Sequence, residues 1–372
     1  MRTDNDVTIL GAGPAGLATA LSLHQQAPWL KVEILDAADA PQFKLGETLP
    51  PAAGEVLTRL LGEDSRWLLR SQQVCSGSIS IWQQPEPGHN DFFFDLSGPG
   101  YHLDRARFES ELASQLKRRD IGLRRRVKVQ GVQPQEDCVA LTIAAQPRPL
   151  HSRFVVDASG GARQVCRALG VADNTLDEVV YLCAVLPLTP GGSMTDRTLV
   201  EAQSYGWWYA ARLPEQKVML MLCCDKASMA TASLADPAVW LQRAEDNRLF
   251  QTHLAPVLAA ARVEGLTLLR RSAPSGILSN VVGRHWLAVG DCASRYDPIS
   301  SAGITKALMH GELAGQSIAD YLQRPDVAAL QPYQQQVFDD FNQYLQLRHS
   351  LYASVQRFGN QPFWHNRATA MG

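Results

Sequence analysis

A chain of 372 residues with 45% apolar and 19% charged side chains is long enough for two domains and a substantial core. A formal charge of −2 gives no general pull toward nucleic acid or an anionic membrane, and no stretch nears the roughly 20 apolar residues of a membrane span. The chain runs into an apolar strand without a secretory leader, and its seven cysteines are odd in number with no C-x-x-C pair, so a reducing, cytoplasmic setting is expected. Nine histidines never fall into a ligand spacing such as H-x-x-x-H, so no metal site is expected, and His102, His285 and His310 read as structural.

The first element is the strand Val7-Thr8-Ile9-Leu10, which runs into Gly11-Ala12-Gly13-Pro14-Ala15-Gly16 and a helix with Leu17, Ala20, Leu21 and Leu23 on one face. A second strand, Lys31 to Leu35, ends in Asp36. This is a dinucleotide fingerprint. Gly11 permits the tight turn, Gly13 removes the side chain that would block a pyrophosphate, and Gly16 lets the helix lie close on the strand. Asp36 stands where it can accept hydrogen bonds from a ribose diol, and its charge argues against a 2′-phosphate. Gly11, Gly13, Ala15, Gly16 and Asp36 are the cofactor candidates here.

Lys44 to Pro51 follows as a turn containing Gly46 and Glu47, and Leu103-Asp104-Arg105-Ala106-Arg107-Phe108 opens a helix. The basic run from Lys117 to Lys128 reads as a solvated helix end and strand. Val155-Val156-Asp157-Ala158-Ser159-Gly160-Gly161-Ala162-Arg163 is an apolar strand ending in Asp and a glycine turn. Strands are also predicted at Ser78–Trp82, Asp91–Asp95, Val179–Leu186, Thr198–Ala202, Trp207–Leu213, Val218–Cys224 and Leu266–Leu278, mostly β-branched or aromatic and separated by Gly and Pro turns. They suggest one antiparallel sheet. Trp286-Leu287-Ala288-Val289-Gly290-Asp291 then leads through Pro298, Ser301, Gly303 and Ile304 into a helix from Thr305 to Tyr321. After Pro325, Tyr333, Val337, Phe341, Tyr344 and Leu345 keep a helical period, read as a helix packed across both domains. No second complete dinucleotide motif is present, so NAD(P)H would visit from solution as a transient reductant.

From about Asp6 to about Tyr321 the chain resembles the FAD-dependent monooxygenases that include aromatic hydroxylases, geranylgeranyl-reductase-like enzymes and flavin halogenases. The resemblance implies an α/β fold: a Rossmann-like FAD domain of the glutathione-reductase type, interleaved with an antiparallel substrate sheet and followed by a C-terminal helix. The FAD domain would take residues 1–73, 105–170 and 279–325, the substrate domain 74–104 and 171–278, and the helical segment 326–372. The family pattern carries Asp291, after Gly290, to the ribityl chain, and Pro298, Ser301, Gly303 and Ile304 to the isoalloxazine. It carries Arg105 to the FAD, with Arg107 as the surface alternative, and adds Asp157 and Gly46 to the cofactor contacts.

Gly-Glu-Thr-Leu-Pro-Pro, Gly-Trp-Trp-Tyr and Asp-Pro-Ile-Ser-Ser-Ala-Gly-Ile together look most like the flavoprotein maturases associated with lysine and glycine oxidases. That likeness implies hydroxylation, through a C4a-hydroperoxyflavin, of a tryptophan in a partner polypeptide, a quinoprotein oxidase precursor, during tryptophylquinone formation. A small aromatic molecule is the other substrate class. Gly206-Trp207-Trp208-Tyr209-Ala210-Ala211-Arg212-Leu213-Pro214 departs from the Gly-Trp-x-Trp-x-Ile-Pro signature of flavin halogenases, and no lysine stands out to carry a hypohalous adduct. Halogenation, small-molecule hydroxylation and prenyl reduction are alternatives, with a non-catalytic flavin-bound chaperone a further one. Glu47, Arg163 and Asp297 are candidate catalytic groups, as polar residues in turns that should face the flavin. Trp82, Trp207, Trp208 and Tyr209 are candidate pocket walls, against the alternative that aromatics on a sheet are simply core.

Overall fold

A computed structural model describes residues 3–42, 44, 48–188 and 194–369. Two large sheets and one small one organise them. In the first, Gly122–Arg124, Val32–Leu35, Asn5–Leu10, Leu150–Asp157 and Trp286–Ala288 lie side by side in that order, all parallel. Strands covered on both faces must be apolar throughout, and Val7, Ile9, Phe154, Val156 and Leu287 have no exposure at all. Val129–Pro134 and Val139–Ile143 extend this sheet as an antiparallel branch. The helix Pro14–Gln26 packs closely on Gly303–Gln323: a Cβ on Gly311 would lie 2.6 Å from that of Ala18.

The second sheet has eight strands, in the order Ser294–Arg295, Leu269–Leu278, Asp173–Pro187, Lys217–Cys224, Gly206–Leu213, Thr198–Gln203, Gly77–Ile81 and Gly88–Asp91. Its neighbours are antiparallel except Thr198–Gln203 and Gly77–Ile81, which run parallel. Strand alternation gives it two cores. Trp208, Leu220 and Leu222 point to one, closed by Trp240 and Phe250; Trp207, Tyr209, Met221 and Cys223 point to the other, closed by Tyr352, Phe363 and Trp364. The antiparallel sheet expected from the sequence is present apart from that one parallel pair, with two further corrections to its strands. Asp91 ends its strand and Phe92–Phe94 is a 3-10 turn, because three consecutive phenylalanines have no alternation to place. The strand expected from Leu266 begins at Leu269.

Thr48–Leu49, Gly100–His102 and Gln73–Cys75 form a third, small sheet. Four short helices between Lys226 and Ala260 are absent from the sequence reading, although Asp225, Asp236 and Asn247 cap three of them through N–H groups of Ser228, Ala238 and Phe250. The long helix Gln331–Ala353 buries Tyr333, Val337, Phe341 and Tyr344 on the expected face. It reaches both large sheets: Tyr333 donates to Ala288 O at 2.6 Å, and Leu351 O accepts from Trp82 Nε1 at 2.9 Å. Among the described residues no helix is long and apolar enough to cross a membrane.

Candidate active site

The glycine turn divides its labour. Gly11 sits at φ +112°, and a Cβ there or on Gly16 would land on a backbone oxygen, of Ala158 and of Gly11 respectively. Around Gly13 nothing lies within 4 Å of where a Cβ would be. Gly11 and Gly16 therefore serve the fold, while Gly13 keeps a space clear. As N-cap of Pro14–Gln26, Gly13 supplies no side-chain acceptor, so the first N–H groups and the positive end of that helix stay available to an anion. Asp36 does more than the ribose contact expected of it: Oδ2 accepts from Ala12 N and Oδ1 from Ala38 N, each at 2.8 Å, fixing the turn.

These residues line one end of a continuous cavity of about 870 Å³, which falls within the roughly 300–1,000 Å³ of cofactor and ligand sites. Gly11, Gly13, Ala15, Asp36, Arg105, Asp291, Pro298, Ser301, Gly303 and Ile304 are all in its wall. Arg105 is nearly buried and gives Nη2 to Glu109 Oε1 at 2.6 Å, whereas Arg107 is half-exposed and paired with Glu111. Asp291 is largely exposed to the cavity and held from behind by Lys306, whose Nζ lies 3.0 Å from Oδ1 and also donates to Ser294 O. Lys306 packs its ammonium over the Tyr296 ring at 4.3 Å. Burial pulls this lysine below its usual range while Asp291 opposes the shift. Nothing in the local sequence marks Lys306; only the return of the helix beside its own loop brings it to Asp291.

Other expected residues sit elsewhere. Asp157 is fully buried, accepting from Ser159 N and Oγ, Val165 N and Cys166 N; it builds the turn, and Ser159 to Ala162 and Gln164 reach the cavity instead. Gly290, at φ +64°, is also outside the wall, where a Cβ would lie 2.7 Å from that of Ala15. Arg163 is buried at φ +48° and ion-paired with Asp173 behind the wall, not presented to a ligand. Asp297 belongs to the wall, but its carboxylate has no exposure and both oxygens are engaged within the protein. Gly46 and Glu47 lie outside the described residues. Trp208 points to the far core, and Trp207 and Trp82 are covered by the C-terminal segment, so none of the three lines the cavity. Tyr209 does.

Around Tyr209 the cavity continues beneath the second sheet, past Tyr181, Met221, Ala273 and Pro274. A chain of hydrogen bonds leads away from it. Tyr209 Oη and Thr48 Oγ1 are 2.7 Å apart, Thr48 and Thr198 hydroxyls 3.4 Å, and His102 Nε2 lies 2.8 Å from Thr198 Oγ1. His102 has no exposure, and burial pulls its pKa down to about 4, so it is neutral at pH 7. All seven cysteines are free and buried; Cys166 and Cys292 approach to 3.8 Å beside Asp157, whose oxygens are already taken by N–H and O–H donors.

The glycine turn and the cavity it opens into are what a dinucleotide cofactor requires, and the comparison with known proteins points to a flavin. A model of the lycopene cyclase proteins matches residues 6–175. The chain is 27% identical, over 97% of its own length and 96% of the relative's, to a protein named as an FAD-dependent oxidoreductase, LodB of Marinomonas mediterranea. It is 22% identical, over 94% of itself and 87% of the relative, to digeranylgeranylglycerophospholipid reductase 1 of Methanothermobacter thermautotrophicus. Among solved structures, the flavin-dependent halogenase CmlS superposes with a TM-score of 0.82 at 20% identity, covering 100% of this chain and 69% of that one. QhpG, a peptidyl tryptophan dihydroxylase essential for tryptophylquinone cofactor biogenesis, gives 0.79 at 24% identity, covering 100% and 80%. The chain is an FAD-dependent oxidoreductase with the fold of the flavin halogenases and hydroxylases. The space kept clear at Gly13, beside an uncapped helix start, fits the pyrophosphate of that cofactor.

Proposed function

We propose that this enzyme is a monooxygenase that hydroxylates an electron-rich aromatic ring, and that the ring is a tryptophan of a partner polypeptide being converted to a tryptophylquinone. One observation carries the reading: the cavity that begins at the glycine turn continues past the loop Pro298 to Ile304 into a chamber walled by Tyr181, Tyr209 and Met221. An aromatic ring held there would lie against the loop assigned to the flavin ring. The likeness to LodB along nearly the whole chain supports an FAD-dependent oxidoreductase, and the likeness in fold to QhpG, a peptidyl tryptophan dihydroxylase, supports the choice of tryptophan.

Bound FAD supplies the oxygen-activating chemistry once it is reduced, and NAD(P)H from solution is the proposed electron source. The net change is R–H + O₂ + NAD(P)H + H⁺ to R–OH + H₂O + NAD(P)⁺. The chain's own residues orient and enclose. Gly11 and Gly13 with Asp36 would hold the adenosine and pyrophosphate end, Asp291, steadied by Lys306, would meet the ribityl chain, and Arg105 would contact the cofactor. Tyr209 and Thr48, hydroxyl to hydroxyl, would orient an indole N–H, with Thr198 and the neutral His102 holding Thr48 in place from behind. Among the described residues of the wall Lys44 is the one lysine, and its ammonium is held by Glu109 Oε2 at 2.6 Å, which speaks against a halide-transferring lysine.

The test is to supply the reduced enzyme with ¹⁸O₂ and a tryptophan-bearing precursor polypeptide, or with free tryptophan and chloride, and to weigh the products. Gain of one ¹⁸O per hydroxylation on the polypeptide is expected. Chlorinated free tryptophan with an unmodified polypeptide would sink the proposal in favour of a small-molecule halogenase. Tyr209→Phe or Thr48→Val should lower kcat/KM roughly three- to tenfold for the loss of one neutral hydrogen bond, with FAD affinity unchanged.

A further inference from the structure

Three residues of the long C-terminal helix converge on one residue of the flavin loop. Tyr344, Arg348 and Tyr352 are spaced by four along Gln331–Ala353 and therefore share a face. Tyr344 Oη accepts the backbone N–H of Asp297 at 2.7 Å, and its ring stacks on that of Tyr296 with centroids 4.1 Å apart. Tyr352 Oη donates to Asp297 Oδ2 at 2.8 Å, and Arg348 Nε lies 3.4 Å from the same oxygen. The other oxygen, Oδ1, accepts from Ile299 N at 3.0 Å. Asp297 is thus gripped at its backbone and at its carboxylate, just before the turn that carries Pro298, Ser301, Gly303 and Ile304 to the cavity wall. That turn contains Ser301 at φ +48°, a left-handed conformation that persists in a non-glycine residue where its surroundings impose it.

The same stripe is bound to the other large sheet. Arg348 pairs with Asp177, Tyr344 Oη meets Ser275 Oγ at 2.8 Å, and Arg367 from the last helix bridges Asp177 and Asp225. Buried ion pairs contribute little net stability, since desolvation offsets their attraction. Four charged groups, Arg348, Arg367, Asp177 and Asp225, gathered about one charged loop residue are better explained by what they hold in place.

The geometry points to Tyr344, Arg348 and Tyr352 as positioning residues that set the flavin loop and tie its placement to the substrate sheet. None of them lines the cavity, so each acts through Asp297. Movement of the sheet around a ligand seated by Tyr181, Tyr209 and Met221 is then transmitted to the N–H groups at the start of Gly303–Gln323. The inference rests on FAD occupying this cavity and is independent of which aromatic ring is hydroxylated.

The experiment compares Tyr352→Phe, Arg348→Met and Asp297→Asn with Tyr321→Phe, which removes a buried hydroxyl from the distal part of Gly303–Gln323, where its partner is His285. The readouts, on the full chain with FAD, are the FAD dissociation constant, the visible flavin spectrum and the flavin midpoint potential. Tyr352→Phe and Arg348→Met should weaken FAD binding roughly tenfold and shift spectrum and potential, as expected for hydrogen bonds to a charged group. Asp297→Asn, which leaves a single amide oxygen for the two donors Tyr352 and Ile299 and removes the charge beside Arg348, should weaken FAD binding in the same direction, whereas Tyr321→Phe should alter only thermal stability. Wild-type spectrum and potential in Tyr352→Phe, or the same shift in Tyr321→Phe, would overturn the inference. Should Arg348→Met fail to fold, the single hydroxyl removed in Tyr352→Phe decides it.

Discussion

Two glycines three residues apart in the same motif, Gly13 and Gly16, predict opposite phenotypes. A methyl on Gly13 meets only the open cavity, so Gly13→Ala should leave the melting temperature of the apoprotein unchanged and weaken FAD binding by about tenfold or more. A methyl on Gly16 strikes Gly11 O, so Gly16→Ala should cost about 1–3 kcal/mol of apoprotein stability, read from denaturant unfolding. The motif was legible in the sequence because its spacing is local. What Gly11 packs against was not, because Ala158 lies far along the chain. His102 makes a second residue-scale prediction. Its folded pKa of about 4 lies below the unfolded value of 6.5, so the unfolded chain binds more protons between those values. Stability should therefore be full above pH 6.5 and fall as the pH drops toward 4, by on the order of 3 kcal/mol from this residue. Comparing urea unfolding of the wild type and His102→Gln at pH 5 and pH 7 checks it: the variant should show the smaller loss.

At the scale of elements, the strand Gly206–Leu213 explains why the aromatic pocket was misread. Trp207, Trp208 and Tyr209 are consecutive, so they alternate between two faces, and both faces of this sheet are buried. An apolar run with no polar side offers no sign of which face meets a ligand. The structure decides it through what covers each face: Trp240 and Phe250 over Trp208, the C-terminal aromatics over Trp207, and the cavity over Tyr209. Trp208→Ala should accordingly cost about 3–5 kcal/mol, as large-to-small changes in a core do, while the protein that remains folded binds FAD as before. Calorimetry and an FAD titration on the same sample separate the two effects. The grip on Asp297 was equally invisible, since Tyr344 read in sequence only as a member of an apolar helical face and nothing local marks Arg348 or Tyr352.

For the molecule as a whole, the order of the motifs along the chain suggests one flavin-binding unit interrupted by strands, and the parallel sheet does draw Asn5–Leu10, Leu150–Asp157 and Trp286–Ala288 together across those interruptions. Residues from Leu10 to Ala307 contribute to a single cavity, so occupancy and folding are linked. Saturating FAD should raise stability by about 2.7 kcal/mol at a concentration one hundred times its dissociation constant, visible as a melting temperature that climbs with added FAD. Loss of bound flavin and loss of tryptophan packing should coincide in a single transition, because Trp82, Trp207 and Trp364 pack on the helix that grips the flavin loop.

The parallel sheet draws its strands from both ends of the sequence: Asn5–Leu10 has Leu150–Asp157 beside it, and Trp286–Ala288 comes next. On a ribosome these neighbours emerge far apart in time. The glycine turn is translated first, yet the loop that should face the flavin ring follows Trp286–Ala288, and the tyrosines that steady that loop come later still. A nascent chain therefore has no complete place for its cofactor until the residues up to Ala307 have been made, and capture of FAD has to wait for them.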